Sequence, residues 1–189
     1  MRRRIFIAIN LPEKIKEELE KFQDQFLDLP AKWVKKENLH ITLAFLGYIR
    51  DEELPKIIEI TKKVASNYSP FKIKIVKVSF FPPKTFPPRM IWAIGEKNEP
   101  LFKLQENLKN ALSEINIPQL EEEAGRSFTP HITLARIKKW EIRQMEREEI
   151  PQIDEDIELE FLADSVDIME SHLKRSGPEY ILLQKIPLS

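Results

Sequence analysis

The sequence of 189 residues lacks cysteine altogether and contains only three histidines. Without cysteine, disulfide bonds, thiolate catalysis, iron–sulfur clusters and cysteine-ligated zinc are excluded. The histidines, His40, His131 and His172, are too far apart to form a local two-histidine metal motif. Long apolar runs are also missing, and the run Ile5–Ile9 is too short for a signal-peptide core or a membrane span. We therefore expect a soluble, cytoplasmic protein that does not associate with membranes.

The charges nearly cancel over the whole chain, to a net −1, but they are unevenly distributed. Residues 1–94 carry 18 basic and 11 acidic side chains, whereas residues 95–189 carry 12 and 20. A basic half suits a partner that carries phosphates, although a surface of solvated charges accounts for it equally well. In the acidic stretch 154–160, charged residues alternate with Ile157 and Leu159, which favours a solvated strand face over a metal site.

The pattern of apolar residues predicts a mixture of helices and strands. Apolar side chains at intervals of three and four predict long helices near 13–27, 52–65 and 101–115. Alternating or continuous apolar runs predict strands between and after these helices. Because the strands neither form one block nor alternate strictly with helices, we expect an α+β fold with antiparallel sheet. The loop at 81–89 contains four prolines and is the best candidate for a boundary between lobes.

One pentapeptide occurs twice. The sequence HITLA at 40–44 recurs identically at 131–135. A chance repeat of this length is on the order of 1 in 200. In a strand, the histidine and threonine of each copy share one face, and the isoleucine and leucine face the core. The repeat therefore predicts two pseudo-equivalent lobes, each with an imidazole and a hydroxyl side by side on an open strand face.

Two such strands facing each other across a groove would suit the hydrolysis of a phosphodiester. One neutral imidazole can take a proton from water, and one imidazolium can give a proton to the leaving oxygen. The hydroxyls of Thr42 and Thr133 can hold non-bridging phosphate oxygens. Neither His40 nor His131 has a partner at metal-ligand spacing, so we expect no metal and no cofactor. His172 has no threonine two positions later, and we interpret it as a loop residue without a role.

The two His-x-Thr-x motifs, about ninety residues apart, resemble the signature of the 2H phosphoesterase superfamily. The chain is most similar to its group of RNA 2′,3′-cyclic phosphodiesterases, also called 2′-5′ RNA ligases. The resemblance extends over essentially the whole chain, including residues 4–12, 33–47, 128–136 and 177–180. It implies a single bilobal domain over residues 1–189, with two antiparallel sheets facing a central groove and helices outside. Each lobe would carry one motif, at His40–Leu43 and His131–Leu134.

The same resemblance implies an activity. Members open a 2′,3′-cyclic phosphate to a 2′-phosphate without a metal, and the reverse reaction is 2′-5′ ligation. By analogy His40 is the proton donor and His131 the proton acceptor, and the two exchange roles in the reverse direction. The expected partners are RNA or nucleotide ends with a 2′,3′-cyclic phosphate, and we expect a monomer.

Two further residues match positions that bind substrate in this family. Arg136 resembles a phosphate-contacting arginine, and Phe45 resembles an aromatic residue of the nucleotide pocket. Each lies five positions after its histidine, so an unbroken strand would turn it away from the histidine face. Their predicted roles therefore require a bulge or a strand end before each residue.

Two other functions are compatible with these residues. A related 2H enzyme could cleave 2′-5′ oligonucleotides or open small cyclic nucleotides. A catalytically idle module that binds RNA ends is the other alternative, but the presence of both histidines and both threonines argues against it.

Overall fold

The computed structural model describes residues 2–115, 117–122, 127–175 and 177–189. The helices are α1 (Glu13–Asp24), α2 (Leu54–Ala65), α3 (Glu99–Leu112), α4 (Pro118–Glu122) and α5 (Lys139–Ile142). The strands are β1 (Arg2–Asn10), β2 (Ala31–Trp33), β3 (His40–Arg50), β4 (Phe71–Phe81), β5 (Met90–Gly95), β6 (His131–Ile137), β7 (Asp154–Ala163), β8 (Ser165–Lys174) and β9 (Gly177–Pro187). The predicted α+β class is confirmed.

The strands form an antiparallel sheet in the order β7-β4-β5-β6-β3-β1-β8-β9, and β2 pairs with β6. The central strands β3 and β6 are joined by one paired position, Ile41 opposite Ile132. This single bridge divides the sheet into a first half-sheet (β3, β1, β8 and β9) and a second half-sheet (β6, β5, β4 and β7, with β2). The two expected antiparallel sheets are thus present as two halves of one sheet, joined edge to edge through β3 and β6.

The two half-sheets repeat one arrangement. In the first, a long helix, α1, follows β1, and β1 pairs with β3; in the second, α3 follows β5, and β5 pairs with β6. The bridge joins Ile41 to Ile132, which are the second residues of the two HITLA copies. An antiparallel pair of equivalent residues is related by a local twofold axis, so a pseudo-twofold axis passes through this bridge.

The helices cover one face of the sheet and leave the other open. In β1, Ile5, Ile7 and Ile9 are buried in the main core with the apolar faces of the helices. Phe6 and Ala8 point to the opposite face, where they form a small separate cluster with Met169. This alternation follows from the two-residue period of a strand. We call this second face the groove face.

Two expectations from the sequence are wrong in detail. The proline-rich loop joins β4 to β5 within the second half-sheet, so it is not a boundary between lobes. His172 lies in β8 opposite Glu179, with its Nε2 3.3 Å from a carboxylate oxygen of Glu170, and is therefore not a loop residue.

Helix α4 was not predicted, because five residues are too few to show a helical period. Among the described residues, no helix is both long and apolar enough to cross a membrane.

Candidate active site

The bridge between the central strands brings the two motifs together. With Ile41 opposite Ile132, the antiparallel register places His40 beside Thr133 and Thr42 beside His131. Both isoleucines are fully buried on the helix side of the sheet. Since neighbouring residues in a strand alternate faces, the two histidines and two threonines share the groove face. The sequence prediction of two imidazoles and two hydroxyls around one small volume agrees with this placement.

Each histidine is oriented by the same backbone bond. The Nδ1 atom of His40 lies 2.7 Å from the carbonyl oxygen of Asn38, and that of His131 lies 2.7 Å from the carbonyl oxygen of Thr129. A carbonyl oxygen only accepts, so Nδ1 carries the hydrogen in both rings. The Nε2 atom of each ring is then the one that can take up or give a proton.

His40 lies in an apolar aromatic setting. Its ring centroid is 4.9 Å from that of Phe6 and 5.3 Å from that of Tyr180, and its Nε2 accepts a hydrogen bond of 3.0 Å from the Thr42 hydroxyl. Burial lowers the pKa of His40 to about 4, against the opposing effect of its bond to the backbone. The ammonium group of Lys16 and the protonated form of His131 lower this pKa further.

His131 has a different neighbour. Its ring stacks on Trp92 with a centroid distance of 3.6 Å and an interplanar angle of 17°. Phe81 stacks on the other face of Trp92 at 3.4 Å. Burial lowers the pKa of His131, and its bond to the Thr129 carbonyl opposes that shift. Ala8 pairs with Thr42 in the first half-sheet, just as Trp92 pairs with Thr133 in the second. Ala8 is therefore the counterpart of Trp92.

A bulge follows each threonine. In β3 the register with β1 shifts so that Leu43 is an extra residue, and in β6 the register with β5 shifts so that Leu134 is extra. In both strands, motif positions 2, 4, 5 and 7 are buried, whereas positions 1, 3 and 6 are not. Position 6 is Phe45 in β3 and Arg136 in β6. The bulges that their predicted roles require are therefore present, and both side chains reach the groove face.

Phe45 and Arg136 have distinct surroundings on this face. The guanidinium carbon of Arg4 lies 4.7 Å from the ring centroid of Phe45. Burial raises the pKa of Tyr180, whereas the positive charges of Arg136 and Arg4 lower it. Arg136 is exposed and stands opposite Lys32 of β2. That either residue contacts substrate stays a prediction.

Several groove residues were not identified from the sequence. Arg4 could have been found, because alternation in β1 places it on the same face as Phe6. Trp92 and Tyr180 depend on which strands are neighbours, and a single sequence does not reveal that pairing. Asn38 contributes through its backbone carbonyl, and its side chain donates a bond of 2.8 Å to the carbonyl of Pro178 at the start of β9.

No group of three or more potential metal ligands occurs among the described residues. The acidic residues of β7 instead pair with lysines of β4, as in Lys72–Glu160 at 2.8 Å and Lys77–Asp154 at 2.9 Å.

Comparison with known proteins gives a consistent result. The model of the family described as LigT like phosphoesterase matches residues 9–92 and 94–180. A Methanocaldococcus jannaschii protein named RNA 2′,3′-cyclic phosphodiesterase is 33% identical over 183 residues, covering 96% of this chain and 99% of that relative. A Thermotoga maritima protein of the same name is 32% identical over 186 residues, covering 95% of this chain and 92% of the relative.

Solved structures share the fold. A crystal structure of a Thermus thermophilus protein superposes with a TM-score of 0.85 at 30% identity, covering 98% of this chain and 97% of that one. Escherichia coli LigT complexed with 3′-AMP has a TM-score of 0.80 at 22% identity, covering 100% and 99% of the two chains.

Proposed function

Since the chain belongs to the LigT like phosphoesterase family, we propose that it hydrolyses the 2′,3′-cyclic phosphate ends of RNA to 2′-phosphates. The resemblance seen in the sequence is thereby confirmed at the level of the family. The observation that carries the proposal is the shared groove face of His40, Thr42, His131 and Thr133, with both Nε2 atoms able to exchange protons. The names of relatives from several species support the same substrate.

The geometry suits an acid–base mechanism. Nε2 of His131 takes a proton from water, the water oxygen bonds to phosphorus, and the bond from phosphorus to the ribose 3′-oxygen breaks. His40 gives its Nε2 proton to that leaving oxygen, so the phosphate remains on the 2′-oxygen. The hydroxyls of Thr42 and Thr133, together with Arg136, stabilise the charge on the non-bridging oxygens. Ligation is the same path in reverse, with the two histidines exchanging roles.

The protonation states follow from the surroundings of the rings. With a pKa of about 4, His40 is neutral in the free protein near pH 7. A bound phosphodiester brings a negative charge, which favours the imidazolium form. Substrate binding therefore favours uptake from solvent of the proton that His40 later donates. The base must be neutral before it reacts, and burial lowers the pKa of His131 in that direction.

We also propose that residues 1–189 form one catalytic domain, because each half-sheet contributes one histidine and one threonine to the same groove. A cytoplasmic location and a monomeric state stay predictions.

The test is to replace each histidine separately. We expect His40→Ala and His131→Ala each to lower hydrolysis of an oligonucleotide with a 2′,3′-cyclic phosphate by about 100- to 10,000-fold, the usual contribution of one acid–base group. His172→Ala is the matched control, because His172 lies in β8 with its Nε2 near Glu170. Wild-type activity should survive EDTA. A wild-type rate in either groove variant would refute the mechanism.

Product analysis separates this proposal from its alternatives. Faster turnover of 2′-5′ oligonucleotides or of small cyclic nucleotides would indicate another 2H specificity. RNA affinity without turnover between pH 5 and pH 9 would indicate an idle binding module.

A further inference from the structure

Two buried glutamines occupy corresponding places behind the groove. Gln23 of α1 is 5% exposed and Gln105 of α3 is 8% exposed, among apolar residues of the core. Each ends a similar pentapeptide, LEKFQ at 19–23 and LFKLQ at 101–105. Glutamine is a poor choice for the apolar face of a helix unless its amide has a partner. Each of the two buried amides therefore needs a hydrogen-bond partner.

Both amides bond to the bulges described above. Nε2 of Gln23 donates to the carbonyl oxygen of Leu134 at 2.9 Å, and Nε2 of Gln105 donates to that of Leu43 at 3.2 Å. These leucines are the extra residues of the two bulges. A bulge takes the extra residue out of the regular strand ladder, and a buried carbonyl needs a partner. Gln23 also donates to the carbonyl oxygen of Val34 at 3.0 Å. The backbone N–H of Val34 in turn donates to the carbonyl oxygen of Leu134 at 2.8 Å, so this carbonyl accepts from both Val34 and Gln23.

Each glutamine bonds to a strand of the half-sheet other than the one that its helix follows. Helix α1 follows β1 of the first half-sheet, but Gln23 holds β6 of the second. Helix α3 follows β5 of the second half-sheet, but Gln105 holds β3 of the first. Since β3 and β6 pair at one position, these two side chains connect elements on opposite sides of the bridge.

We propose that Gln23 and Gln105 are positioning residues that hold the bulges and so keep Arg136 and Phe45 on the groove face. Loss of a bulge shifts the following residues by one position, and a shift of one reverses every side chain in a strand. Gln23 thus acts on Arg136, two residues after Leu134, and Gln105 acts on Phe45, two residues after Leu43. The expected effect on substrate binding rests on the proposed function, whereas the expected effect on the register of β3 and β6 does not.

The kinetic experiment uses Gln23→Met, which removes the donor while keeping an unbranched side chain of similar length. We expect KM for the oligonucleotide to rise about tenfold, with a smaller change in kcat, because the phosphate loses a well-placed Arg136. In an Arg136→Ala background, the same substitution should change KM less than twofold. Gln25→Met is the control, because Gln25 is exposed just after the same helix. Gln105→Met is tested in the same way against Phe45→Ala.

Amide hydrogen exchange gives a readout that needs no substrate. Gln23→Met should reduce protection about tenfold at residues 134–137 but not at 43–46, and Gln105→Met should do the reverse. Equal kinetic loss in both backgrounds, unchanged protection, or loss of protection across the whole sheet would overturn the proposal. If the wild-type protein fails to hydrolyse the substrate, the proposed function fails, whereas hydrogen exchange still decides the role of the glutamines.

Discussion

The ring of Trp92 gives His131 a neighbour that His40 lacks. The two histidines have the same backbone bond, but one stacks face to face on an indole and the other lies among Phe6 and Tyr180. The face of an indole carries partial negative charge, which stabilises a cation above it by about 0.5–2 kcal/mol. Trp92 therefore favours the protonated form of His131, which suits its proposed role as the proton acceptor.

Replacement of Trp92 tests this interpretation at the residue scale. We expect Trp92→Leu to lower kcat about tenfold to a hundredfold, because the imidazole loses the surface that fixes its plane, and small displacements of a catalytic group have effects of this size. KM should change less. Steady-state kinetics with the cyclic-phosphate substrate measure both constants. Trp140→Leu serves as the control, since Trp140 is 74% exposed on α5. An unchanged kcat in Trp92→Leu would show that the stack has no catalytic consequence.

At the scale of elements, β3 depends on one glycine beyond its motif. Gly47 has a φ of +69°, and a Cβ atom added there would lie 2.5 Å from the side chain of Gln119 in α4. A residue with a side chain would be strained by the backbone conformation and would also displace Gln119. The short helix α4 is therefore packed against β3 through the space that Gly47 leaves.

We expect Gly47→Ala to lower the free energy of unfolding by about 1–2 kcal/mol, from the strained φ together with the close contact. Urea denaturation measures the change. In a Gln119→Ala background the same substitution should cost less, because the contact is gone and only the backbone strain remains. If Gly47→Ala were as stable as the wild type, the packing of α4 on this strand would be incidental.

The elements show what the sequence can and cannot predict. The long helices α1, α2 and α3 and the strand that begins at His131 were predicted because their apolar residues follow a clear period. The identical pentapeptides predicted two equivalent halves and the four central side chains, but with the two strands facing each other across a groove, whereas β3 and β6 are neighbours in one sheet. The sequence showed that the predicted roles of Phe45 and Arg136 need a bulge or a strand end. It could not show where a bulge lies, because that depends on the backbone register. Trp92, Tyr180 and the two buried glutamines were missed, since their roles depend on contacts between distant segments.

At the scale of the whole molecule, burial of the histidines links stability to pH. The pKa of His40 falls from 6.5 in the unfolded chain to about 4 in the folded protein, so the unfolded state binds its proton first. The contribution of neutral His40 is complete above pH 6.5 and is lost as pH falls toward 4, amounting to at most about 3 kcal/mol. The lowered pKa of His131 acts in the same direction.

We expect His40→Asn to flatten the dependence of unfolding free energy on pH between 6.5 and 4, because this titrating group is removed. Denaturant unfolding at pH 7, 5.5 and 4 measures the difference from the wild type. His172→Asn is the matched control, because it makes the same substitution at an exposed histidine of β8. Parallel pH profiles for the wild type and His40→Asn would contradict the burial of a neutral His40.

The basic surface at the end of β6 gives a further expectation. Lys32 stands opposite Arg136, which places both cations on the groove face. We expect Lys32→Glu to lower kcat/KM more for an oligonucleotide than for a mononucleotide with the same cyclic phosphate, because only the longer substrate carries further phosphates. The slope of log kcat/KM against log salt should fall by about 0.7 for one lost phosphate contact. Lys63→Glu on α2 is the control. An equal loss on both substrates would place Lys32 outside the path of the RNA.

The pseudo-twofold axis at the Ile41–Ile132 bridge has a consequence for which histidine stands beside the leaving oxygen. In a perfectly symmetric groove, a substrate turned by half a rotation about this axis would meet identical surroundings, so either histidine could be the acid and the product would be the same. The positions that correspond to Ala8 and Trp92, and to Phe45 and Arg136, differ between the halves. These differences make the two orientations unequal in energy. The assignment of acid and base to particular histidines is therefore set by where the repeat is imperfect.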